Sequence, residues 1–229
     1  MTCLIIPCVA PMQSWGWRSR FQERDTEREP TKSGIIGLIA AALGRDRTHS
    51  VADLAGLAMT VRVDAEGALQ TDFQIIQPIS QKEPAATKTT LSRRAYLADA
   101  AFLVGLEGDA DLLRQVHSAL ASPVWTLFLG RKSFPPGRPL YLPDGLKEEP
   151  LRTVLQTYPS IAPVTNQITT RPAQLRLVVE CQPGEGEPRR DVPVSFAHGG
   201  RHFLTRFVKN EWIPYPSAEA ASLNPHDLP

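Results

Sequence analysis

The sequence predicts an α+β fold, and three observations carry the prediction. Apolar runs of strand length recur through the first 134 residues, two stretches with helical character lie among them, and the proline content then rises sharply. Fifteen of the 21 prolines fall at or after Pro135, which marks a change from strand-and-helix patterning to short strands broken by proline and glycine. The chain has 229 residues, 42% hydrophobic and 21% charged, enough to bury a core in one large domain or two small ones.

The elements follow in order. Leu4 to Val9 is apolar and reads as a strand. Ile35 to Leu43 reads as a helix entered through Ser33 and closed by Gly44. Met59 to Val63 is a β-rich alternating run, Phe73 to Gln77 continues as strand, and Ala100 to Leu106 is a further apolar run. Asp111 to Ala121 places Leu112, Leu113, Val116, Ala119 and Leu120 at helical spacing, with Asp109 and Asp111 at its positive end. Val124 to Leu129 closes the series as an expected strand. The order is βαββαβ, the split ferredoxin-like (RRM-like) unit, with the polar residues between the central strands as an excursion. Residues 1–145 form this unit, and 146–229 form a smaller, proline-rich, mostly β subdomain.

Charge and motif content exclude several function classes. Lys and Arg number 25 against 24 Asp and Glu, a formal net charge of +1, so a globally basic nucleic-acid coat is excluded and any basic site is local. The longest near-continuous apolar run, Gly34 to Gly44, is eleven residues, against the roughly 20 needed to span a membrane. Met1 to Pro11 lacks a basic start and is broken by Pro7, so the sequence predicts a cytoplasmic protein with no membrane association. Cys3, Cys8 and Cys181 have no C-x-x-C spacing and read as buried thiols. Neither a metal nor a cofactor is expected, because the common hydrolase and metal-ligand patterns do not occur.

Four segments carry cations or hydroxyls in suggestive positions. Gln13-Ser14-Trp15-Gly16, followed by Trp17, Arg18, Arg20 and Phe21, mixes aromatics and arginines as an RNA site does. An indole face stacks a base while guanidinium groups hold phosphates, although Trp15 also suits a core plug. Pro30-Thr31-Lys32-Ser33-Gly34 opens the first helix and offers an anion free N–H groups, a lysine and two hydroxyls. Positions 26 and 31 are threonine where a nucleotide-binding P-loop needs glycine, so no nucleotide is implied. The stretch 78–94 holds Lys82, Lys88, Arg93 and Arg94 against Glu83, and reads either as a solvated loop or as an arm toward another chain or an RNA backbone. Gly130-Arg131-Lys132-Ser133 through Arg138 holds three cations and no acid, with a second cationic cluster at Gly199-Gly200-Arg201-His202-Phe203, Arg206 and Lys209. His198 and His202 are the only pair suited to metal-independent RNA cleavage.

Taken in order, Ala10-Pro11-Met12-Gln13-Ser14-Trp15-Gly16, Pro30 through Leu38, Arg94-Ala95-Tyr96-Leu97-Ala98-Asp99-Ala100 and Leu129-Gly130-Arg131-Lys132-Ser133 resemble the CRISPR-associated repeat-binding (RAMP) superfamily, as found in type I-E Cascade complexes. The similarity spans residues 3 to about 142 and implies a ferredoxin-like palm with an elongated thumb hairpin at 78–94. It implies a non-catalytic subunit for antiviral defence that caps the 5′ handle of crRNA. Its neighbours would be the repeated backbone subunit and the large subunit, with target DNA met only through the complex. By that resemblance Ser14 and Trp15 lie at the handle, Lys32 and Ser33 near its phosphates, and Arg94, Arg131 and Lys132 clamp the backbone. Gln13, Lys88, Arg93, Tyr96 and Ser133 join the same RNA-binding set. The alternative is an endoribonuclease that processes CRISPR repeat RNA.

Overall fold

The computed structural model describes residues 1–16, 23–76, 90–162 and 171–216. It is a mixed α+β structure built on a seven-stranded antiparallel sheet. The strands of that sheet are β1 (Cys3–Val9), β4 (Ala58–Ala65), β7 (Ala101–Glu107), β8 (Leu146–Lys147), β9 (Gln174–Cys181), β10 (Glu187–Ser195) and β11 (His202–Pro214), in the order β10-β11-β9-β4-β7-β1-β8. A smaller sheet joins β2 (Met12–Gln13), β3 (Glu23–Arg24), β5 (Ala68–Ile76) and β6 (Thr90–Ala98), with β6 pairing the other three.

The unbroken apolar character of β1 and β7 has a direct cause, since the large sheet is covered on both faces. Leu4, Ile6, Cys8, Phe102, Val104 and Leu106 face one core, with helices α1 (Lys32–Ala42) and α3 (Ala110–Ala121). Cys3, Ile5 and Leu103 face a second core under α4 (Leu151–Thr157), which also takes Leu175, Leu177 and Ile213. β9, β10 and β11 therefore extend the sheet that begins at β1. A short helix α2 (Ala52–Ala55) lies between α1 and β4.

Caps define the two longer helices. Thr31 rather than Ser33 opens α1, its hydroxyl accepting from the Gly34 N–H at 3.3 Å. Asp109 caps α3 by accepting from the Leu112 N–H at 2.8 Å. The expected strand at Val124 to Leu129 is not formed. The Val124 and Trp125 N–H groups instead donate to Ala42 and Ala41 at 3.0 and 3.3 Å, satisfying carbonyls at the end of α1. Leu129 packs in the core, and the pairing edge of β1 goes to Leu146 and Lys147. The stretch expected as an excursion at 78–94 is flanked by long paired strands, in register from Ala68 with Ala98 to Ile76 with Thr90. Residues 77–89, and with them Lys82, Glu83 and Lys88, lie outside the described residues.

Two buried ion networks tie the sheet to its surroundings. Arg62 and Asp64, both fully buried, pair at 2.6 and 2.8 Å. The Arg62 guanidinium also donates to the carbonyls of Leu155, Tyr158 and Pro159 at 2.7, 2.6 and 2.9 Å, and thereby fastens the end of α4. Glu29, also buried, pairs with Arg176 at 3.0 Å and with Arg189.

Candidate nucleic-acid interface

Because β2 follows β1 after only two residues, the Gln13-Ser14-Trp15 motif is laid directly along β6. Gln13 is wholly interior. Its amide donates to the Cys8 and Ala100 carbonyls at 3.1 and 2.8 Å, and its oxygen accepts from the Trp15 indole N–H at 3.2 Å. Trp15 is 1% exposed, with its ring against Gly34, where an added Cβ would stand 2.8 Å from Cε3. The expected stacking role of Trp15 and the expected RNA contact of Gln13 are thus corrected. Both side chains spend their hydrogen-bonding and packing capacity inside the protein, and Trp15 is the core plug. Trp17, Arg18, Arg20 and Phe21 lie outside the described residues.

Lys32 and Ser33 sit elsewhere. The Lys32 ammonium is paired to Glu180 at 3.0 Å and its backbone N–H donates to Asp191 at 2.8 Å, with Lys32 only 4% exposed. The anion that this helix start attracts is the chain's own Asp191, which also takes Arg206 at 2.7 and 2.9 Å. Lys32 is therefore neutralised inside the fold rather than presented to phosphate, which corrects its expected role. Ser33 is half-buried beside it.

The structure brings Ser14, Arg94, Tyr96 and Arg131 together around the carbonyl of Ala95. Ser14 Oγ donates to that carbonyl at 3.3 Å and Arg131 Nη2 donates to it at 2.8 Å. The loop that carries Arg131 is tight: Ser14 N–H donates to Leu129, Leu129 N–H to Phe134, and Phe134 N–H to Arg131, at 3.1, 2.8 and 2.8 Å. Gly130 makes it possible, with φ +90° and so close an approach to the Ser14 carbonyl that any Cβ would overlap its oxygen. The Arg131 guanidinium lies 5.4 Å from the Phe134 ring centre, and Tyr96 packs on the same ring at 5.9 Å. Lys132 and Ser133 stand exposed at the turn between them, and Arg93 is exposed on β6.

Arg24, which the sequence motifs do not single out, joins this cluster. β3 pairs β6 in parallel, with Glu23 opposite Arg93 and Arg24 opposite Arg94. No short-range signal announces a two-residue parallel strand. Burial, followed by the nearby charges of Arg94 and Arg24, lowers the Arg131 pKa below the ordinary guanidinium value, while Asp72 and Asp25 act in the opposite sense. Arg131 Nη1 is buried and has no hydrogen-bond partner among the described residues. Arg94 is opposite Asp72 in the strand register, and its Nε donates to Ser92 at 3.2 Å. The result is three crowded guanidinium groups flanked by two aromatic rings and an exposed Lys-Ser turn.

The two histidines considered for cleavage occupy a different place. His198 and His202 are exposed at the turn between β10 and β11, and the His198 ring nitrogen lies 3.5 Å from Arg47. Arg206 and Lys209 leave the cationic cluster expected there, for Arg206 is held by Asp191 and Glu180, and Lys209 lies 3.7 Å from Glu185. Among the described residues no three His, Cys, Asp or Glu side chains group as metal ligands, and no helix is long and apolar enough to cross a membrane.

The mixed α+β fold is shared with solved CRISPR-associated proteins. The chain belongs to the family described as CRISPR-associated protein (Cas_Cas5), which matches residues 3–209. It resembles the "CRISPR system Cascade subunit CasD" of Escherichia coli (strain K12), at 27% identity over 203 residues, covering 82% of this chain and 91% of that protein. A solved structure titled "Crystal structure of Cas protein" is 44% identical with a TM-score of 0.74, covering 93% of this chain and 97% of its own. A chain of a "CRISPR RNA-guided surveillance complex" is 31% identical with a TM-score of 0.76, covering 94% and 92%.

Proposed function

We propose that this chain is a non-catalytic subunit of a Cascade-type surveillance complex and holds the 5′ handle of crRNA at the Arg24–Arg94–Arg131 cluster. The observation that carries the reading is the convergence of Arg24, Arg94 and Arg131 beside the exposed Lys132–Ser133 turn. Like-charged guanidinium groups brought together are costly unless an anion neutralises them, and a phosphate does so. Tyr96 and Phe134 offer ring faces beside those phosphates, and Lys132 and Ser133 add an exposed cation and a hydroxyl. Gln13, Trp15 and Gly130 then act as positioning residues that set the Arg131 loop against β6.

In this reading the β4-β7-β1-β8 portion of the sheet with α1 and α3 is the ferredoxin-like palm, and the β5–β6 hairpin is the thumb. The names of the relatives support membership of a Cascade-type, RNA-guided surveillance complex, and in this reading its neighbours there are crRNA, a repeated backbone subunit and a large subunit. His198 and His202 are exposed on the turn that faces Arg47, in a separate part of the chain from the arginine cluster, and this favours binding over cleavage.

The test uses end-labelled repeat-spacer RNA with the protein and its backbone partner, on native and denaturing gels. A shifted, intact RNA is expected. Replacing Arg131→Ala with Lys132→Ala should reduce the salt dependence of binding by about 1.4 in log–log slope, from roughly 0.7 for each neutralised single-strand phosphate. A defined cut that disappears with His198→Ala or His202→Ala would instead make the chain a processing endoribonuclease.

A further inference from the structure

A second cationic surface lies apart from the arginine cluster, where the α1–α2 connection meets the turn between β10 and β11. Arg47 Nη1 lies 3.5 Å from the His198 ring. Two residues on, Gly200 N–H donates to Ala197 at 3.1 Å and closes the turn. Ser195 is opposite His202 in the strand register, and Arg190 Nε donates to the Phe203 carbonyl at 3.2 Å, so Arg190, Arg201 and His202 share the base of that turn. Arg47, Arg190, His198, Arg201 and His202 are all exposed.

The neighbouring carboxylates are already committed. Asp53 is held by Arg45 in a two-point pair at 2.7 Å. Asp46 accepts from the Thr48 N–H and hydroxyl at 2.7 and 2.6 Å and lies 2.9 Å from His49 Nδ1. Asp191 is buried under Arg206. Among the described residues Arg47, Arg190 and Arg201 consequently have no carboxylate partner. At the tip, Gly199 has φ +77°, and a Cβ on either Gly199 or Gly200 would meet nothing within 4 Å. The turn therefore presents bare backbone between a histidine on one side and an arginine and histidine on the other.

We propose that this surface binds the phosphodiester backbone of a nucleic-acid segment distinct from the one held at Arg131. Planar guanidinium groups hold phosphate oxygens, and the diglycine tip lets a backbone approach without side-chain obstruction. An acidic polypeptide needs the same positive charge, but gains nothing from the uncovered glycine backbone. The proposal does not depend on the Arg131 site, because the two share no residue.

The test compares the full-length chain with the triple variant Arg47→Ala, Arg190→Ala, Arg201→Ala. A charge-matched control, Arg114→Ala, Arg152→Ala, Lys147→Ala, removes surface cations that are ion-paired elsewhere. Labelled duplex DNA, single-stranded DNA and single-stranded RNA, none containing repeat sequence, are titrated across a salt series. The slope of the triple variant should fall by roughly 2.7 for a duplex or roughly 2.1 for a single strand, and the probe showing the loss identifies the source. The control should keep the parental slope, and Arg131→Ala with Lys132→Ala should leave this loss unaltered. Equal slopes for triple variant and control on every probe would overturn the proposal. So would displacement of polyglutamate, rather than of any nucleic acid, by the triple substitution.

Discussion

Gly130→Ala perturbs the Arg131 loop without changing a charge. Gly130 holds φ +90°, which costs a residue with a Cβ about 1–2 kcal/mol. The added methyl also overlaps the Ser14 carbonyl, and forcing a methyl into packed backbone costs about 1–3 kcal/mol. Together these give about 2–5 kcal/mol if the loop stays in place. The loop escapes only by leaving Ser14, which breaks the Ser14 to Leu129 hydrogen bond and carries Arg131 away from the Ala95 carbonyl. The expected result is a lower urea midpoint together with a salt slope for repeat RNA reduced by up to about 1.4, the contribution of two single-strand phosphates. Both are read on the same preparation, by tryptophan fluorescence and by filter binding. Wild-type stability with a wild-type slope would refute the reasoning that this glycine sets the loop.

Three further outcomes follow from the same geometry. Arg62→Met should cost about 3–5 kcal/mol in chemical denaturation, because Asp64 is left charged and buried. Adding Asp64→Leu should recover much of that loss, and additive losses would contradict the pairing. Trp15→Ala should cost about 3–5 kcal/mol as a core deletion, and an unchanged midpoint would return Trp15 to the surface. Burial, the leading cause in each case, pushes Cys8 and Tyr158 up to about 12 and Cys3 up to about 11, from ordinary values of 9.0 for the thiols and 10.0 for the phenol. The unfolded chain loses these protons first, so their contribution is complete below about pH 9 and declines as pH rises toward 12. A urea midpoint that holds constant from about pH 8 to about pH 11 would contradict this.

The elements legible in the sequence were those whose patterning is local. β1 and β7 announce themselves as unbroken apolar runs because both faces of the sheet are covered, and α3 by its spacing and its Asp109 cap. Val124 to Leu129 misled because its apolar content serves a loop: two of its N–H groups close the end of α1, a long-range use that strand propensity does not encode. The site was legible in part for the same reason. Arg94 and Arg131 stand in recognisable basic segments, whereas Arg24 reaches them through a two-residue parallel pairing. Lys32 looked free because Glu180 and Asp191, its partners, lie about 150 residues away in sequence. Gln13 and Trp15 were visible as a motif, but their inward direction follows from the bend between β1 and β2.

The most direct measurement is ultraviolet crosslinking of repeat-derived RNA to the chain in its assembled complex, with the attachment sites mapped by mass spectrometry. Handle nucleotides crosslinked to the 90–98 and 129–134 segments, centred on Tyr96 and Phe134, are the predicted result. Handle crosslinks confined to the turn between β10 and β11, or a handle that leaves both segments unlabelled, would contradict the account.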